Sequence, residues 1–259
     1  MSAVAFDTFI FVPAYNVENT LAGVLDKIPE SVWNRSKVLV INDGSKDETE
    51  KVAREYCAEM ENRTGRLEYF AFEKNSGYGA VVKKGLTEGI ASGAQFVACL
   101  HGDGQYPAEM LDRFLDHLEN FREVGVEQCR LALLQGSRHA VSGGAKAGHM
   151  PFYKRLGGTF LTALENYVFT YKLTDRHSGF ILYRTEFLKC VDLEKLSPSF
   201  DIDLELISIA DAMATGTEPK FALGELPIPT VYADEKSNLN VVNYGLRCLK
   251  QILRRLLRK

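Results

Sequence analysis

Cys99-Leu100-His101-Gly102-Asp103-Gly104-Gln105-Tyr106-Pro107 places a carboxylate and an amide directly after an apolar run. The preceding segment, Gln95-Phe96-Val97-Ala98-Cys99-Leu100, has the length and apolarity of a strand buried on both faces. Pro107-Ala108-Glu109-Met110-Leu111 then reads as a helix start, with proline in the first turn and an acid near the positive helix end. Asp103 and Gln105 therefore fall at the carboxyl end of an inner strand, where open α/β sheets bind their ligands. Their alternate spacing lets both side-chain oxygens face one side of an extended segment. A hard divalent cation takes such oxygens and completes its shell from phosphates and water. Asp-Gly is also turn chemistry, so a polar turn capping the next helix competes with the metal reading.

Composition is that of a globular protein: 46% hydrophobic and 25% charged residues, with net charge −3 over 259 residues. One large α/β domain over residues 1–240 followed by a tail over 241–259 fits this length. The charge balance gives no reason to expect nucleic acid as a partner. Five cysteines lie far apart without a CxxC pair, so spacing suggests neither a zinc site nor a disulfide framework, and a reducing compartment is expected. No run approaches the roughly 18 apolar residues of a membrane span, which predicts a soluble or peripheral protein.

Strand and helix patterns alternate along the chain. Thr8–Val12 leads to Pro13-Ala14-Tyr15-Asn16, and Lys37–Ile41 to Asn42-Asp43-Gly44-Ser45, with Asp47 placed to cap the following helix. Leu67–Phe72 leads to Asn75-Ser76-Gly77-Tyr78-Gly79-Ala80, and Arg130–Gln135 to Gly136-Ser137-Arg138. Repeated β-α units predict a mostly parallel central sheet with helices on both faces, its strand-end loops converging on one rim. A nucleotide suits such a rim. The glycine-rich stretch at Asn75 matches neither the dinucleotide fingerprint nor a P-loop.

Pro13-Ala14-Tyr15-Asn16 with Glu18, Asn42-Asp43-Gly44-Ser45 with Asp47, Gly77 with Gly79, and Asp103 with Gln105 resemble the ordered motifs of glycosyltransferase family 2. Gly136-Ser137-Arg138, Met150–Arg155, and Asp175 with Ser178-Gly179-Phe180 narrow the resemblance to the polyprenyl-phosphate sugar synthases. The resemblance implies a GT-A fold, a GDP- or UDP-type sugar donor, Mg²⁺ or Mn²⁺, and inversion at the anomeric carbon. By the same resemblance, Pro13, Tyr15, Glu18 and Gly79 belong to the nucleotide pocket, Asp43 to the base, and Asp103 and Gln105 to the metal. Arg138 with Lys154 or Arg155 is assigned to an acceptor phosphate, Ser178 to the sugar or acceptor loop, and Asp203 to the acceptor side, where Asp203 or Asp201 is the candidate base for a hydroxyl acceptor.

Several positions depart from the family pattern. His101 stands where the first acid of an acid-x-acid pair is usual, and either contacts the metal or satisfies a neighbouring backbone group; it also counts among the substrate-side residues. Asn42 replaces an acid, Tyr78 a basic residue and Gly158 a serine. A saccharide hydroxyl acceptor and a nucleotide-sugar-binding module without turnover remain open alternatives. In the tail, Leu246, Leu249, Ile252, Leu253, Leu256 and Leu257 recur at helical spacing among Arg247, Lys250, Arg254, Arg255, Arg258 and Lys259. This basic amphipathic helix either lies on the cytosolic face of a membrane or packs its leucines on the domain or a second subunit.

Overall fold

The computed structural model describes residues 6–61, 66–121, 129–140, 152–215, 220–229 and 241–256, with side chains from 156 and 243 onward in the fourth and last stretches. The glycine-rich segment 141–148, the loop 231–238, the side chains of Lys154 and Arg155, and the terminal residues 257–259 lie outside the described residues.

The expected strands form as β1 (Thr8–Ala14), β2 (Ser36–Asn42), β3 (Leu67–Ala71), β4 (Phe96–Cys99) and β5 (Arg130–Ser137). Two more follow, β6 (Ile181–Arg184) and β7 (Phe221–Pro227), and all seven join one sheet in the order β3-β2-β1-β4-β6-β5-β7. β6 runs antiparallel to both of its neighbours, while the other pairings are parallel. The carboxyl ends of β1 to β5 therefore meet on one rim, and the segment entering β6 arrives at that same rim.

Alternation along the inner strands buries both faces of the sheet. Ile10, Val12, Val38, Val40 and Ala98 pack under α1 (Leu21–Asp26) and α5 (Leu111–Asn120). Phe9, Phe11, Leu39, Ile41 and Val97 point the other way, under α4 (Tyr78–Ala91) and α8 (Ile202–Met213). The remaining helices are α2 (Glu30–Trp33), α3 (Thr49–Glu61), α6 (Phe152–Val168), α7 (Thr185–Leu188) and α9 (Val241–Leu256).

The tail helix α9 docks in a sense that single-helix amphipathicity does not anticipate. Its arginines reach acids of the domain: Arg247 pairs with Asp201 at 2.9 Å and Arg254 with Glu205 at 3.4 Å from exposed positions, and Arg255, largely buried, with Asp211 at 2.8 Å, all on or capping α8. Ile252 and Cys248 are buried, Ile252 against Val168 and Phe169. Leu246, Leu249, Leu253 and Leu256 stay 44–61% exposed. An acidic partner face, invisible from the tail's own sequence, reverses which side of the helix is held.

Candidate active site

The rim is built from loops that brace one another. After β1, the backbone turns through Asn16 at positive φ, whose N–H donates to Ser45 Oγ at 2.9 Å. Glu18 N–H donates to Asp47 Oδ2 at 3.1 Å, and Glu48 N–H returns a 2.8 Å bond to Glu18 Oε2. Asp47 also accepts from the Thr49 N–H and hydroxyl, the cap its sequence position predicted. Glu18 is thus spent partly on holding the β1 and β2 loops together. Pro13 and Tyr15 sit half-buried at this end of β1, and the Pro13 carbonyl accepts from Gly102 N–H at 3.0 Å.

Asp43 is buried at the end of β2, and its two oxygens accept the Ser76 and Gly77 N–H groups at 2.7 and 3.1 Å. Burial pushes its carboxyl up, and the two backbone donors offset that in part. The glycine-rich loop therefore folds onto Asp43 as a fixed wall of the pocket. Gly79 lies one helical step further on, where an added Cβ would stand 2.3 Å from the carbonyl carbon of Pro198. This glycine lets α4 pack directly on the backbone of residues 197–199.

Asp103 begins a tight turn in which the Gln105 N–H donates to its Oδ1 at 3.0 Å. The turn reading and the ligand reading hold together, because Oδ2 accepts no hydrogen bond from any described residue. A carboxylate oxygen left open beside the Gln105 amide at a strand end suits a hard cation completing its shell from a diphosphate.

His101 does not stand alone. Its Nε2 lies 3.2 Å from the Tyr78 hydroxyl, which donates to Asp203 Oδ2 at 2.9 Å. Burial lowers the His101 pKa despite the charge of Asp103 nearby, so the ring is neutral at pH 7. Burial raises Asp203 to about 7, against the opposing hydrogen bond from Tyr78. Phe200 stacks on Tyr78 at 5.2 Å, and Tyr106 meets the His101 ring edge-on at 5.0 Å. The Tyr106 hydroxyl also accepts the Gly179 N–H at 2.8 Å. Tyr78 and Tyr106 lie within quoted motifs but carried no site role in the sequence; only their tertiary partners reveal one.

Across the rim, Arg138 is held in a two-pronged pair with Asp175, Nε to Oδ2 at 2.6 Å and Nη2 to Oδ1 at 2.9 Å. Burial works to raise Asp175, but the Arg138 charge and hydrogen bonds win and hold it at about 2. Ser178 is buried, with its carbonyl accepting from Gln135 at 2.8 Å. Lys154 and Arg155 belong to the first turn of α6.

Residues 9–192 match glycosyl transferase family 2, and the chain belongs to that family of glycosyltransferases. It resembles the polyprenyl-phosphate branch: it is 23% identical over 234 residues to a UDP-N-acetylglucosamine--dolichyl-phosphate N-acetylglucosaminyltransferase of Methanococcus voltae, covering 87% of this chain and 86% of the relative. A dolichyl-phosphate beta-glucosyltransferase of Trichomonas vaginalis is 25% identical, over 80% of this chain and 60% of that relative's length. Glucosyl-3-phosphoglycerate synthase of Mycobacterium tuberculosis, crystallised with Mn²⁺, UDP and phosphoglyceric acid, superposes with TM-score 0.63 at 17% identity, covering 96% of this chain and 78% of that one. The fold is GT-A.

Proposed function

We propose that this glycosyltransferase moves a sugar, with inversion, from a nucleotide-diphosphate sugar of GDP or UDP type to a polyprenyl phosphate at the cytosolic face of a membrane. The observation that carries the acceptor assignment is the near end-to-end match to a relative named for dolichyl phosphate. Pro13, Tyr15, Glu18 and the Asp43 wall receive the nucleotide, and Asp103 with Gln105 holds Mg²⁺ or Mn²⁺ on its diphosphate. Such a cation, when bound, neutralises the charge that develops on the departing diphosphate. The acceptor oxygen attacks the anomeric carbon from the opposite face, and the bond to the diphosphate breaks with both electrons leaving on the nucleotide.

A phosphate monoester is already anionic near neutral pH and needs positioning more than deprotonation. Arg138, oriented by Asp175, supplies that charge together with Lys154 or Arg155. A second reading, transfer to a saccharide hydroxyl, is favoured by one observation: Asp203 near pKa 7 is tuned for a general base.

Among the described residues no helix is long and apolar enough to cross a membrane. The exposed leucines of α9, and Leu156, Phe160 and Tyr167 exposed on the neighbouring α6, supply apolar side chains suited to peripheral contact. A second copy of the chain would compete for the same surface, giving a homo-oligomer.

The direct test is transfer from labelled GDP- and UDP-sugars to a polyprenyl phosphate, with Mn²⁺ and with Mg²⁺. Turnover should fall at least ~100-fold in Asp103→Ala, the scale of losing an electrostatic stabiliser. Unchanged turnover in that variant refutes the metal role, and nucleotide binding without any transfer favours a binding module.

A further inference from the structure

Two residues beyond the rim's Asp175, whose Oδ1 accepts the His177 N–H at 3.1 Å, the 175–180 segment meets α6 and α9 and brings Glu165, His177 and Cys248 together. One ligand atom from each lies within 4.8 Å of the others, and Glu165 Oε2 stands 3.4 Å from His177 Nε2. Glu165 is fully buried, yet neither of its oxygens has a hydrogen-bond partner, and His177 Nε2 has none either. Burial raises the Glu165 carboxyl to about 8, against the opposing charge of buried Arg176, so without a further cation beside it the group is held largely protonated.

We infer that Glu165, His177 and Cys248 form a second metal site, separate from the donor site at Asp103, that takes a borderline cation of the Zn²⁺ class. The donor chemistry selects the ion: one thiol sulfur, one imidazole nitrogen and one carboxylate oxygen suit tetrahedral Zn²⁺ far better than Mg²⁺. Bond lengths near 2.0 Å to nitrogen and 2.3 Å to sulfur put tetrahedral ligand atoms about 3.5 Å apart, so closure asks for shifts of about 1 Å. A thiolate and a carboxylate also match the double charge of the ion.

The surrounding hydrogen bonds are already arranged for ligation. His177 Nδ1 lies 2.9 Å from the Tyr244 hydroxyl. An Nδ1–H donating to that oxygen leaves Nε2 bare and aimed at Glu165, and the tyrosine proton is then free to turn toward Cys248, one helical turn further along α9. Binding displaces the Cys248 proton, and near neutral pH the Glu165 proton as well, to solvent. Because its three ligands sit on three different segments, the ion would act as a clip, tying α9 to α6 and to the loop that carries Asp175. The opposite polarity, with Nε2–H directed at Glu165, is a metal-free buried pair, and the two arrangements differ in what the whole protein binds.

The test is a Co²⁺ titration of the metal-stripped full chain, with Asp103→Ala and Cys248→Ala alongside. A thiolate-to-cobalt charge-transfer band saturating at one equivalent is expected in the parent and in Asp103→Ala, and it should vanish in Cys248→Ala. No such band in the parent, or an undiminished band in Cys248→Ala, overturns the site. Should Cys248→Ala fail to fold, X-ray absorption on the zinc-loaded parent decides: one sulfur with nitrogen and oxygen neighbours supports the clip, and a shell without sulfur overturns it.

Discussion

The Tyr78 hydroxyl donates a 2.9 Å hydrogen bond to Oδ2 of Asp203, residues 125 positions apart in sequence. It also touches His101, so the two departures from the family pattern at 78 and 101 belong to one polar chain. Burial holds Asp203 at about 7 against a reference of 3.8, which fixes the sign of a pH effect. A carboxyl whose pKa rises on folding stabilises the fold fully at low pH and loses that contribution as pH climbs from about 4 through about 7. Asp203→Asn mimics the protonated form and keeps an acceptor for Tyr78. Its unfolding free energy relative to the parent should therefore be higher at pH 8 than at pH 5, by about 2 kcal/mol. An offset that does not change with pH would remove the perturbed carboxyl from the account.

The acceptor question turns on Arg138 against Asp203. For a phosphate acceptor, Arg138→Ala should cut transfer ~100-fold or more, while Asp203→Asn costs less than ~10-fold, because no proton has to be removed. Rate should then be flat where Asp203 titrates. The reverse order of damage, with a rate that rises through pH 7, would select the saccharide hydroxyl. Arg138→Lys separates charge from shape: a point charge cannot reproduce the two-pronged pair with Asp175, so most of the loss should persist.

Gly179 faces His101 so closely that an added Cβ would lie 2.7 Å from its Nε2. The ring is held between Tyr78 and Tyr106 and has little room to yield. Gly179→Ala should displace His101, costing about 1–3 kcal/mol of stability and lowering turnover at saturating donor. Gly79→Ala meets backbone rather than a ring, so it should destabilise at least as much. Equal melting temperatures for Gly179→Ala and the parent would show that the ring moves freely.

How far these contacts could be read beforehand differs from one element to the next. Apolar runs such as Val38–Ile41 announce a strand buried on both faces, and loops after β1 to β4 must share a rim once those strands are parallel. The run Ile181–Arg184 carries no directional signal, so its antiparallel insertion between β4 and β5 follows only from tertiary pairing. The turn at Asp103 was legible from local spacing, because a turn is a local matter. The Tyr78–Asp203 bond and the Glu165-His177-Cys248 cluster were not, since a search for paired cysteines sees neighbours in sequence alone.

The paired arginines of α9 change how membrane contact must be tested. Removing residues after 240 would strip Arg255 from buried Asp211 and Ile252 from Val168, so it would damage the fold along with any membrane surface. Arg255→Ala alone should cost about 1–3 kcal/mol, because buried Asp211 loses its ion-pair partner but keeps the Thr170 and Tyr171 N–H bonds. Leu249 and Leu253, 44% and 56% exposed, contribute little to the core. Leu249→Asp with Leu253→Asp should leave the unfolding free energy within about 0.5 kcal/mol of the parent per site, yet release the protein from anionic liposomes in a sedimentation assay. Retention on liposomes by the double variant, with the chain monomeric by light scattering in both forms, would remove α9 as the membrane-facing element.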